Sequence, residues 1–207
     1  MDPIEKLTEI FRSFPGIGPR QARRFVYYLL TRNKSYIQEF ISLIQILQNE
    51  IEICSECFQF FTKNKQRGKI CNICLSKNRD ENLLMIVARD IDLEKVEKSH
   101  SFNGKYFVLG GTVPVLDKNP ENKIRLKELL QQIDKKAQGS SKLHEIILGF
   151  SINPESEYTE NFILQALNPL ITKYKLKISH LGRGLSTGTE LEYSDADTIK
   201  NALENRR

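Results

Sequence analysis

Apolar residues recur at helical spacing as far as Leu47, and beyond Leu83 the pattern changes to short apolar runs separated by turn residues. Ile4, Leu7, Ile10 and Phe11 predict a helix over 3–13, with Asp2 ahead of it and Pro3 suited to its first turn. After Pro15-Gly-Ile-Gly-Pro19, a second helix is expected from Pro19 or Arg20 to Thr31. At about 100° per residue, Ala22, Phe25, Val26 and Leu29 share one of its faces, while Arg20, Arg24, Tyr27 and Thr31 lie opposite. A third helix, opened by Asn33 or Ser35, carries Ile37, Phe40, Ile41, Ile44 and Leu47.

The later runs predict strands at 83–88, 106–109, 145–148 and 177–180. They alternate with helices at 92–99, 121–138, 155–167 (closed near Pro169) and 195–205, with a loop at 139–142. Such alternation argues for a parallel sheet covered on both faces. Between the two regions lie the four cysteines of the chain, Cys54-x-x-Cys57 and Cys71-x-x-Cys74, separated by thirteen residues. That pairing can surround one tetrahedral zinc ion and leaves no coordination position open, so the site holds structure and performs no chemistry. Phe58, Phe60, Phe61 and Ile70 are expected to pack around it.

Charge adds a direction. The net charge over 207 residues is only +5, but it is concentrated: residues 1–80 carry 13 Lys/Arg and 8 Asp/Glu, whereas 81–207 carry 18 of each. Phe11–Gln38 holds six basic residues and no acid, and Phe58–Arg79 another six, including Lys63, Lys65, Arg67 and Lys69. A polyanion is the natural partner, because each neutralised phosphate releases condensed counterions. Gly16 and Gly18 let backbone amides and the following helix N-terminus approach one phosphate, with Arg20, Arg23 and Arg24 beside them. This reads as a helix-hairpin-helix that holds DNA backbone without reading bases.

Catalytic chemistry has little support. The first strand ends Val87-Ala88-Arg89-Asp90 and the third ends Gly149-Phe-Ser-Ile-Asn153, neither offering the paired acids that hold Mg²⁺. His100, His144 and His180 are scattered, and the glycine segments fit no nucleotide-binding pattern. Helix N-terminal placement accounts for Asp90, Asp92, Glu155 and Glu157. No 18-residue apolar run or signal segment is seen, so the chain is expected in the cytoplasm, without a membrane span.

Phe14-Pro-Gly-Ile-Gly-Pro-Arg20-Gln-Ala-Arg-Arg24, the four cysteines, Tyr106-Phe-Val-Leu-Gly-Gly111 and Gly184-Leu-Ser-Thr-Gly-Thr-Glu-Leu-Glu-Tyr193 with Ala202–Arg207 together resemble the bacterial RecR family of recombination mediators. The resemblance implies a multidomain α+β chain. Its parts are a helix-hairpin-helix module (1–51), a four-cysteine zinc finger (52–79), a Toprim-like α/β domain (80–176) and a C-terminal segment (177–207) that completes the sheet or makes oligomer contacts. It further implies a non-enzymatic role in DNA repair at the nucleoid. A homo-dimer or homo-tetramer would clamp DNA and load the recombinase RecA on single strands with RecO- and RecF-type partners. The family's zinc ligands fall on Cys54, Cys57, Cys71 and Cys74 and its DNA contacts on Arg20 and Arg24, while its acidic partner contacts fall near Glu155 and Glu157. The chain departs from the family pattern at Ala88 (usually Glu), Arg89, Ser151-Ile-Asn153, Asp117–Asn122 and Arg183. A Mg²⁺-dependent Toprim enzyme, such as a primase or nuclease, and a zinc-ribbon RNA-binding protein are the rival readings.

Overall fold

The structure, a computed structural model, describes residues 2–63, 68–117, 119–139, 143–182, 184–185, 188 and 190–204. Lys65, Arg67 and Arg183, and most of the loop expected at 139–142, lie outside the described residues. The chain divides into two compact units, Met1–Ile51 and Glu52–Arg207.

The first unit is all helical. Helix α1 (Pro3–Arg12) opens with the Asp2 carboxylate accepting from the Ile4 amide at 3.3 Å. Helix α2 (Pro19–Leu30) packs on it through Ala22 and Val26, both buried, and through an edge-to-face contact of Phe11 with Phe25 at 5.6 Å. Helix α3 (Lys34–Glu50) is capped by the Asn33 side chain. The expected apolar face of α3 is there, but it has no core to enter. Phe40, Ile41, Ile44 and Leu47 are all exposed, and Ile37 is the one partly covered member of the expected set. A helix propensity and an amphipathic stripe fix the element without fixing what covers it.

Strand β1 (Ile51–Ile53), which begins at the last residue of the first unit, pairs with β2 (Phe60–Thr62), and a short helix α4 (Asn72–Leu75) carries the second CxxC. Strands β3 (Asp80–Val87), β4 (Gly104–Val108), β5 (Glu145–Gly149) and β6 (Lys177–His180) form a parallel sheet in the order β4-β3-β5-β6. The crossovers are α5 (Asp90–Ser99), α6 (Leu126–Gln138) and α7 (Pro154–Tyr174), and α8 (Ala196–Glu204) follows. Alternate side chains of β3 serve two cores. Leu84 and Ile86 pack with Leu129 and Ile133 of α6 and Ile163 and Leu167 of α7, whereas Met85 and Val87 pack with Leu93 of α5 and with Cys54, Cys57 and Cys71. The sheet is thus covered on both faces, and the cysteine module is part of the second cover.

Helix α5 opens two residues earlier than expected, at Asp90, and two other helices differ more from the expected spans. Helix α7 passes through Pro169 to Tyr174, where Lys175 closes it in a left-handed turn (φ 55°). Proline inside a helix costs about 3 kcal/mol. Burial of Leu167 and partial burial of Leu170, Ile171 and Tyr174 on the same core offset it, helped by the Tyr174 hydroxyl donating to Asp134 at 2.7 Å. Helix α6 begins at Leu126 rather than Glu121, which lies in a separate 3-10 turn, Pro120–Asn122. The reason is Arg125: its amide donates to Leu109 O at 2.9 Å and its guanidinium to Val108 O at 2.9 Å, which ties the chain to the end of β4 before a helix can start.

Candidate zinc centre and nucleic-acid interface

Four thiols meet in the second unit. The Sγ atoms of Cys54, Cys57, Cys71 and Cys74 all lie within 4.8 Å of one another, with Cys57 and Cys71 3.6 Å apart. Sulfurs at the corners of a tetrahedron with ~2.3 Å metal bonds are separated by about 3.8 Å, so the group could hold one metal ion. Backbone amides already point at the sulfurs: Cys71 N donates to Cys54 Sγ and Cys74 N to Cys71 Sγ, each at 3.4 Å. Without a cation the four cannot ionise together. The hydrogen bond with Cys57 pulls the Cys54 thiol down, while the hydrogen bond with Cys54, with burial behind it, pushes Cys74 up.

The surroundings of the cluster differ from the private apolar nest expected from the sequence. Phe61 and Ile70 pack into the cysteine-side core and Phe58 packs on Phe107 at 5.2 Å, but Phe60 is exposed because side chains of β2 alternate sides. Phe58 follows Cys57 in a left-handed conformation (φ 62°), which turns the chain back over the first CxxC. The Val108 amide then donates to Cys57 O at 2.8 Å, so the first CxxC covers part of the edge strand β4.

Two cations that the sequence reading passed over secure this arrangement. Lys105 is 3% exposed, and its ammonium donates to the carbonyls of Ile73, Cys74 and Ser76 at 3.2, 2.8 and 3.0 Å. It therefore serves the carbonyls at the end of α4, where a helix favours positive charge. Arg125 reaches Phe58 O at 3.4 Å and lies over the Phe58 ring. A lysine beside the apolar run Tyr106–Leu109 would have been the sequence signal, since a strand buried on both faces has no place for an unpartnered charge. Lys105→Met keeps the stem and removes the donor. It is expected to cost about 3 kcal/mol and to lower the melting temperature by roughly 6–12 °C. A thermal unfolding curve matching that of the wild type would remove Lys105 from this role.

The hairpin shows how its two glycines differ. Gly16 has φ +76°, a conformation that disfavours any side chain. Gly18 has an ordinary extended conformation (φ −82°), and a Cβ there would meet nothing within 4 Å. The fold by itself does not demand glycine at 18. Gly18 is also the N-cap of α2 and offers no side-chain cap, in contrast to Asp2 of α1 and Asn33 of α3, and no acid stands in the first turn of α2. With Pro19 lacking an N–H, the amides of Arg20 and Gln21 are left as donors at the positive end of the helix dipole. Arg20, Arg23 and Arg24 are all exposed, and no carboxylate pairs with them among the described residues; Arg24 has only a long contact to Gln21 at 3.4 Å.

At the C-terminal ends of the sheet strands, Ala88, Arg89, Asp92, Thr112, Asn153 and Glu155 line one depression. Asp92 accepts from the Arg89 amide at 3.0 Å, Asp90 accepts from the Phe60 amide at 2.7 Å and Glu155 accepts from the Thr112 hydroxyl. Asp92 thus caps α5, whereas Asp90 and Glu155 are engaged by groups 30 and 43 residues away in the chain. Glu155 and Glu157 are both exposed in the first turn of α7.

Sequence comparison gives the family. The profile described as "RecR, helix-hairpin-helix" matches residues 4–48, and that described as "RecR, C-terminal" matches 184–207. The "Recombination protein RecR" of Legionella pneumophila (strain Corby) is 35% identical over 206 residues, covering 100% of this chain and 98% of the relative. The chain belongs to the RecR family. The RecR of a Cyanothece species is 31% identical over 205 residues, 99% of this chain and 95% of the relative. The role of the chain accordingly lies in recombination and repair. The RecR architecture agrees with the helix-hairpin-helix, four-cysteine cluster, parallel sheet and C-terminal segment described above. Among the described residues, no helix is long and apolar enough to cross a membrane.

Proposed function

We propose that this RecR-family chain is a DNA-binding recombination mediator that acts by position rather than by chemistry. It would clamp DNA as a homo-oligomer and help to load RecA on single strands together with RecO- or RecF-type partners. One structural zinc per chain, on Cys54, Cys57, Cys71 and Cys74, would hold the second unit together. The observation that carries the reading is the N-terminus of α2: open amide donors, a glycine that the fold does not require and three arginines with no carboxylate partner among the described residues. Amides and guanidinium groups converging on one surface suit phosphate, and phosphate contacts position a protein without reading sequence.

Support for the oligomer comes from apolar residues left uncovered in the single chain. These are Phe40, Ile41, Leu43, Ile44 and Leu47 on α3, and Leu191 and Tyr193 near the C-terminus. Glu155 and Glu157 are the candidate contacts to a basic partner, because both carboxylates stand exposed at the rim of the sheet. A non-enzymatic role is favoured by Ala88, a methyl group where a Toprim metal site needs a carboxylate. The test is a loading assay in which RecA displaces single-strand binding protein from DNA. Adding this protein with a RecO-type partner is expected to shorten the lag; an unchanged lag at saturating protein would overturn the mediator reading.

A further inference from the structure

The exposed stripe of α2 does not end with its arginines. Tyr27 follows Arg24 on the same side, and Tyr27 and Tyr28 are 49% and 46% exposed at the C-terminal end of the helix. Arg20, Arg24, Tyr27 and Tyr28 fall within an arc of about 100° around the axis. The next turn of chain extends the aromatic surface. The Arg32 guanidinium lies 3.9 Å from the centroid of the Tyr28 ring, and Tyr36, at the start of α3, meets Tyr28 edge to face at 6.4 Å. Tyr27 makes no ring contact among the described residues, so no stacking partner occupies it. This stretch, Phe11–Gln38, is the one that carries six basic residues and no acid.

We propose that Tyr27 is a stacking platform for an unpaired base, with the Tyr28–Arg32–Tyr36 stack as its neighbour, so that α2 binds single-stranded DNA in preference to duplex. This deepens the phosphate-binding role of the hairpin and rests on it. A tyrosine ring exposed amid arginines leaves water only when something flat covers it, and every nucleobase has such a face. The spacing suits a strand laid along the helix. Tyr27 is seven residues from Arg20, about 10 Å along the axis, the rise of about three stacked nucleotides. Within a duplex the bases already cover one another, so the ring gains nothing there. Backbone contacts at the hairpin are common to both forms of DNA, and the discrimination comes from the tyrosine alone.

The experiment uses the full zinc-loaded chain. A single-stranded oligonucleotide carrying one 2-aminopurine and a blunt duplex of equal length are titrated with wild type, Tyr27→Leu, Tyr27→Phe and the Arg20→Glu/Arg24→Glu double variant. Stacking quenches 2-aminopurine, so wild type is expected to quench it on binding. Tyr27→Leu, which favours the helix and leaves the far-ultraviolet circular dichroism unchanged, should lose about fivefold or more in single-strand affinity. Its duplex affinity should stay at the wild-type value, and Tyr27→Phe should keep both the affinity and the quenching. Wild-type single-strand binding by Tyr27→Leu, an equal loss on both DNAs, or binding without quenching would each overturn the platform. A double variant that binds both DNAs like wild type would instead overturn the phosphate site at the hairpin, whatever Tyr27→Leu shows.

Discussion

Cys54→Ser, or a chelator added to the wild-type protein, is expected to lower the melting temperature of the second unit by about 10 °C or more. The sequence alone suggests damage confined to a small zinc module. The structure extends it, because Cys54, Cys57 and Cys71 share a core with Met85 and Val87 of the central strand and Tyr106 and Val108 of the edge strand. Metal-binding energy in such a site is folding energy, and about 4 kcal/mol lost from a unit of this size corresponds to that shift. Metal released on thiol titration should count one zinc per chain. A protein that melts at the same temperature with and without chelator would refute a structural metal on these four cysteines.

DNA affinity is expected to fall by at least about 100-fold in the Arg20→Glu/Arg24→Glu double variant, for every sequence alike. Two attractive contacts become repulsive beside the open amides of α2. The salt dependence of binding should also flatten, the slope of log affinity against log salt dropping by about 2. Stability should change by no more than about 0.5 kcal/mol, since both side chains are exposed and unpaired with acids among the described residues. Fluorescence anisotropy at several salt concentrations reads both quantities. An unchanged slope would show that these arginines do not meet phosphate and would leave the hairpin as a turn between helices. Gly18→Ala is a milder companion: a Cβ there meets nothing within 4 Å, so the fold should be unchanged, and weaker binding in the same anisotropy assay is expected if DNA approaches the hairpin closely.

Much of this molecule was legible in its sequence, for reasons of local physics. Two CxxC pairs at this spacing meet as one group of four thiols that could hold a metal ion, and the alternation of strands and helices follows from apolar spacing of period two and period 3.6. Asn33, Asn153 and Asp2 cap helices where the sequence placed helix starts, because a side-chain oxygen one to three residues from an amide needs no distant partner. The two sides of α2 were set by rotation alone: Ala22 and Val26 are buried and Arg20 and Arg24 exposed.

Only the tertiary structure decided the rest. Pro169 ends no helix, because the core beneath it holds Leu167 and Ile171 in place, and burial summed over a helix outweighs one local penalty. Arg125 delays α6 through bonds to the end of β4, and Lys105 serves carbonyls 29 to 32 residues away. These are contacts between distant positions, and a single sequence carries no record of which strand lies beside which turn. The sequence likewise shows the apolar face of α3 but not that it stays uncovered within one chain. Spacing determined the elements, the grouping of the four cysteines and the exposed arginines. The fold determined which buried charges had partners and joined the cysteines to the sheet, because those outcomes depend on energies that exist only once remote parts of the chain have met.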